Sequence, residues 1–191
     1  MKIVVTSEYA EKDNKMLFPP FYTKADSTLL KGGKPFFVPD FTTQCVMTVH
    51  LVARICRLGK GFSTRFSYRY VDAWTLGANF IAQDLLNEGR HAAAVDFDGS
   101  TMIGDFIEVK DLNFDSALCE MQLGEETVRI ESLADAGQRM LEDISKMSYF
   151  FTWKQGDLLF SCPLYRKASV HKDEHISCML GKQKLLEFNI K

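Results

Sequence analysis

The chain has 191 residues, 46% of them apolar and 25% charged, with a formal net charge of −2. That is the composition of one ordinary soluble domain, long enough to bury a core without disulfides or a structural metal. Acidic and basic residues are interspersed, and the densest basic cluster, Arg65 to Arg69, holds two cations. This excludes the long-range positive field that gathers nucleic acid. The five cysteines, Cys45, Cys56, Cys119, Cys162 and Cys178, form no C-x-x-C pair and are odd in number. Free thiols in a reducing cytoplasm are expected.

Lys2 to Val5 predicts an opening strand, and the three apolar residues Ile3 to Val5 are too few for a signal-peptide core. No later stretch approaches a membrane span, so no membrane association is expected. LKGGKPFFVPD punctuates the chain with Gly32-Gly33 and two prolines. Cys45 to Arg57 predicts a buried strand, closed by Leu58-Gly59-Lys60-Gly61. SALCEMQLGEETVRIES predicts a hairpin turning at Gly124. A helix is predicted over Leu133 to Tyr149, with Ser132 as N-cap and Leu133, Met140, Ile144 and Met147 near a helical period as core. A Gly-Asp turn leads into the strand Leu158 to Phe160, and KLLEFNIK predicts a closing strand. With no repeat or linker, one domain over 1–191 is expected. Its class is α+β, with a mixed, rolled sheet and few helices.

The stretch from Met47 to Phe106, with MTVHLVARICRLGK, ANFIAQD and VDFDGSTMIGDF, is similar to the core of the fumarylacetoacetate hydrolase family. The likeness runs along nearly the whole chain: FYTKADSTLL and PFFVPDF resemble the segments leading into that core, and WKQGDLLFSCP resembles the Gly-Asp strand beyond it. The resemblance implies a divalent cation (Mg, Mn or Ca) held by a Glu-x-Glu pair and an Asp. Here those places read Thr48, His50 and Asn79. It also implies a His and a Glu acting on water, where the chain has Lys12 and Lys15 after Tyr9-Ala10-Glu11. The family's lysine before a Phe corresponds to Val95, its Arg to Gln83 beside a retained Asp84, and its Gly-Thr pair has shrunk to Cys162 before Pro163.

Residues two apart on a strand share a face, so Glu-x-Glu delivers two carboxylates to one point, whereas Thr48 and His50 deliver a hydroxyl and an imidazole. With Asn79, three negative charges fall to none. Hard cations need oxygen ligands, usually carboxylates, so no metal or other cofactor is expected. Val95 has neither charge nor donor to stabilise an oxyanion. Simpler roles exist for each residue: His50 as a hydrogen-bonded pocket or core histidine, Thr48 as a strand former, Asn79 as a partner for buried backbone, and Lys12 and Lys15 as solvated cations. Asp98, Gly99 and Gly104 are expected in turns.

HKDEH at His171 to His175 matches the H-x-x-E-H zinc pattern but lies in a polar, irregular stretch, and Cys162 lacks a recognisable catalytic partner. Two functions follow. One is a non-catalytic family member with a remodelled pocket for a small carboxylate and the family's homodimeric habit. The other is a hydrolase, decarboxylase or isomerase on a keto-acid or dicarboxylate, using His50 as base and Lys24 or Arg54 as a compensating cation. The concurrent loss of several roles favours the first.

Overall fold

The computed structural model describes residues 1–7, 19–31 and 33–191. Strands β1 (Ile3–Thr6), β2 (Phe21–Lys24), β3 (Leu29–Lys31), β4 (Cys45–Ile55), β5 (Val71–Ala82), β6 (Thr101–Ile103) and β7 (Ile107–Glu108) belong to one large sheet. The chain then leaves for a second sheet with β8 (Cys119–Leu123) and β9 (Glu126–Ile130), returns with β10 (Leu158–Phe160) and β11 (Tyr165–Lys167), and ends with β12 (His175–Leu180) and β13 (Gln183–Asn189). The large sheet runs β2-β1-β10-β4-β5-β6-β3, with β11 also pairing β4 and β7 pairing β5. Pairs β1/β10 and β3/β6 are parallel and the other pairs antiparallel, so the sheet is mixed and curls as the α+β expectation requires.

The centre of this sheet is β4, whose residues are all buried except Arg54. Burial on both faces is why CVMTVHLVARI shows no polar alternation. Met47 and Val49 pack towards the second sheet, in a core where Phe36 stacks on Phe80 at 3.5 Å. Leu51 and Ala53 pack against helix α3, which follows two short helices, α1 (Gln83–Asn87) and α2 (His91–Val95), and spans Ala134–Phe150. Met140, Ile144 and Met147 of α3 are fully buried there, each contributing about 1.5–3 kcal/mol. Trp153 closes this core by donating its indole N–H to the Ile144 carbonyl at 2.9 Å. The opposite face of β4, bearing Val46, Thr48 and His50, is left for the site.

Several expectations shift in detail. Strand β4 ends two residues before Arg57, and α3 starts at Ala134, whose N–H donates to Ser132 Oγ at 3.2 Å. Gly99 does sit in a turn at positive φ. Gly104, however, serves a close approach: an added Cβ would lie 1.9 Å from the Leu185 carbonyl oxygen of β13. HKDEH is not irregular throughout, because His175 begins β12 and contacts Asn189 and Glu187 of β13. All five cysteines are free thiols. Among the described residues, no helix is long and apolar enough to cross a membrane.

Candidate functional site

Antiparallel pairing places Arg166 of β11 on one side of Thr48 and Asn79 of β5 on the other, so these three residues form a row across three strands. Thr48, His50 and Arg166 line a pocket of about 600 Å³. Val5, Ile81, Leu86 and Val95 supply apolar wall, and Tyr22 and Asp96 add polar groups. Asn79 lies fully buried behind Thr48.

The polarity of the network is set at its two ends. Lys24 of β2 donates from Nζ to Asn79 Oδ1 at 2.7 Å and to the Ser100 carbonyl at 2.8 Å. An ammonium only donates, so the amide oxygen of Asn79 must face it and the amide NH₂ must point the other way. That NH₂ donates to Tyr22 Oη at 2.7 Å and to Thr48 Oγ1 at 3.3 Å. The Ser161 carbonyl beside His50 Nδ1 can only accept, so the other ring nitrogen, Nε2, accepts from the Thr48 hydroxyl 2.8 Å away. His50 is then neutral with its proton on Nδ1, donated to the Ser161 carbonyl. Ser161 Oγ donates to Asp143 Oδ2 at 3.2 Å, which also accepts from Thr6 Oγ1 at 3.0 Å.

Burial sets the charge states. It drives the His50 imidazole down to about 4, with the Ser161 carbonyl opposing and the Lys24 charge reinforcing the shift. It pulls the Lys24 ammonium down to about 7, against the attraction of Asp96, and pushes the Tyr22 hydroxyl up to about 12, against the Asn79 hydrogen bond and the Arg166 charge. Asp143, on the buried face of α3, is pushed up to about 6, and its Oδ1 has no hydrogen-bond partner among the described residues.

The structure therefore gathers Thr48, His50, Asn79 and Val95 at one place. Val95 is buried with Val46 and Ile81, and its carbonyl accepts the Ser100 hydroxyl at 3.0 Å. Gln83 stands at the edge, its Oε1 accepting from Arg166 Nη2 at 2.6 Å. Asp84 is structural: it accepts from Thr42 Oγ1 and, at 2.8 Å, from the Thr43 N–H, fixing the entry to β4. Cys162 is buried between Ser161 and the pocket-lining Pro163. Lys12 and Lys15 lie outside the described residues. Of the two compensating cations considered, Lys24 belongs to the site, whereas Arg54 is committed to an exposed pair with Asp72 at 2.8 Å. Tyr22, Arg166, Ser161 and Asp143 were missed. Only Asp143 carried a signal, since it shares the 140/144/147 face of the helix.

The row of strands, the pocket beside β4 and the curled mixed sheet define an α+β domain of the fumarylacetoacetate hydrolase type. The chain belongs to that family: the family described as "Fumarylacetoacetate (FAA) hydrolase C-terminal" matches residues 4–178. Comparison with curated proteins finds no match. Among solved structures, the chain resembles a protein from Yersinia pestis CO92 proposed to be of this family (TM-score 0.84, 21% identity, covering 100% of this chain and 93% of that one). It also resembles fumarylpyruvate hydrolase from Pseudomonas aeruginosa in complex with Mn²⁺ and pyruvate (TM-score 0.78, 19% identity, 99% and 88% covered). A third is 2-hydroxyhepta-2,4-diene-1,7-dioate isomerase from Mycobacterium marinum (TM-score 0.80, 17% identity, 99% and 73% covered).

The residues at the expected metal position do not fit a divalent cation. Thr48, His50 and Asn79 carry no formal negative charge, and the acceptor atom of each already takes a hydrogen bond from another of them or from Lys24. Among the described residues, no three His, Cys, Asp or Glu side chains come together as a ligand set.

Proposed function

We propose that this chain is a non-catalytic member of its family, a homodimeric protein that binds a small carboxylate in the pocket beside β4. The observation that carries the reading is the Lys24 ammonium on Asn79 Oδ1 at 2.7 Å: a cation of the protein's own occupies the oxygen that an Asp at position 79 would offer to a metal. His50 is a poor general base, because both ring nitrogens are engaged and burial keeps its pKa near 4. Val95 leaves the pocket wall without a lysine at the place where the family's resemblance puts one.

Two measurements test this. Calorimetry with magnesium, manganese and calcium should show no specific binding, and fumarylpyruvate should not be turned over with or without added metal. Turnover that His50→Ala abolishes would establish an altered-site enzyme in its place.

A further inference from the structure

The pocket's polarity points to how it takes its ligand. Because Lys24 fixes the Asn79 amide, Tyr22 Oη is used as an acceptor, and its own O–H is donated to no described residue. The hydroxyl is therefore left as a donor at the pocket. It stays protonated across the ordinary pH range. Arg166 lines the same pocket, and its charge is felt at the Tyr22 hydroxyl. Arg166 is exposed, and among the described residues its one hydrogen bond is from Nη2 to Gln83 Oε1. That bond orients the guanidinium and, among the described residues, leaves the rest of its fork of donors unused. Among the described residues, one acid of the lining opposes these donors, Asp96, whose Oδ1 already accepts the Ala25 N–H at 2.7 Å.

We propose that Tyr22 Oη–H and the Arg166 guanidinium form a two-point anchor for the carboxylate of a monoanionic ligand, with the ligand's apolar body lying against Val5, Ile81, Leu86 and Val95. The inference rests on the pocket being a binding site that works without metal. It goes further in assigning the anion's partners and in placing specificity on Arg166, opposite Thr48 on the neighbouring strand. A carboxylate matches a guanidinium fork and a hydroxyl donor together; a neutral amide of the same shape offers one acceptor oxygen and a clashing NH₂. Among the described residues, a dianion would find no second lysine or arginine on the lining, since Lys24 lies behind it and is bound to Asn79 and Ser100.

The test uses the full chain and a matched pair of probes, 3-phenylpropanoate and 3-phenylpropanamide, titrated by calorimetry in EDTA. Wild type should bind the carboxylate at least about ten-fold more tightly than the amide, the scale of one charge-assisted hydrogen bond. Arg166→Gln should abolish that preference, weakening the carboxylate far more than the amide. Tyr22→Phe should weaken the carboxylate roughly three- to ten-fold. Arg166 is exposed, so the Gln variant should melt like wild type, which separates loss of the anchor from loss of fold. Equal affinity for the two probes, no binding of either up to about 10 mM, or a preference that survives Arg166→Gln would each overturn the anchor. Carboxylate binding that appears only when manganese replaces EDTA would instead overturn the metal-free reading of the pocket.

Discussion

Replacing Asp143 with asparagine should remove a pH dependence built into the native fold. Burial raises this carboxyl from 3.8 to about 6, more than its hydrogen bonds from Thr6 and Ser161 lower it. The folded state therefore holds the proton more tightly than the unfolded chain. The resulting stability is fully present below pH 3.8, falls as pH rises and the unfolded carboxyl ionises, and is gone above about 6. A shift of about two units corresponds to about 3 kcal/mol. His50 acts in the opposite sense. Its folded pKa, near 4, lies below the ordinary 6.5, so its contribution is complete above 6.5 and lost as pH falls towards 4. The two slopes overlap and flatten the wild-type profile, which is why the variant is needed to expose either one. Urea unfolding of both proteins from about pH 4 to about pH 7 gives the difference in stability at each pH. Wild type minus Asp143→Asn should fall by about 2–2.5 kcal/mol across that window, because the unfolded carboxyl is already partly ionised at its lower end. A difference that stays constant with pH would refute the assignment of a buried, protonated Asp143.

Gly77→Ala should destabilise the protein by about 1–3 kcal/mol, because its Cβ would lie 2.5 Å from Phe160 Cε1, 2.8 Å from Val52 Cγ2 and 2.9 Å from the Met102 carbonyl; an unchanged melting temperature would show that Phe160 can move. Thr48→Glu, His50→Glu and Asn79→Asp together should recover manganese binding only when Lys24→Met accompanies them, since the ammonium 2.7 Å from the residue-79 oxygen would otherwise pair with the new carboxylate. Manganese calorimetry giving equal affinity with and without Lys24→Met would contradict that competition, and Val95→Lys should still be required before any turnover is seen. Light scattering should give the homodimer that family membership suggests, and a monomer at all concentrations would remove that proposal.

How much of this was legible in the sequence depends on the range over which each feature is specified. The strand β4 was readable because an eleven-residue apolar, β-branched run cannot be exposed, and the spacing of Thr48 and His50 then fixed their common face. The short strands β6, β7 and β11 were not, because three residues or fewer carry no period, and their pairing with β4 and β5 comes from the sheet already built. That gap hid Arg166, which reaches the site only through the register of β11 against β4.

The same argument separates the residues of the site from its polarity. Thr48, His50, Asn79 and Val95 could be named from their places in the chain, but their identities leave open whether Asn79 turns its oxygen or its NH₂ to Thr48. Lys24, 55 residues away from Asn79, decides it. The sequence offers Lys24 only as one of two compensating cations, beside Arg54, and carries no sign of its burial, yet Lys24 is 3% exposed. Burying an ammonium is costly unless acceptors receive it, and here the Ser100 carbonyl and Asn79 Oδ1 both do. Once it is placed, the Asn79 amide has one direction, to Tyr22 and Thr48, and at the far end the Ser161 carbonyl takes the His50 Nδ1 proton and leaves Nε2 to accept from Thr48. A set of replacements that looks, residue by residue, like the loss of a metal site is thus a connected hydrogen-bonded network with an internal cation at its head and a hydroxyl donor at its mouth.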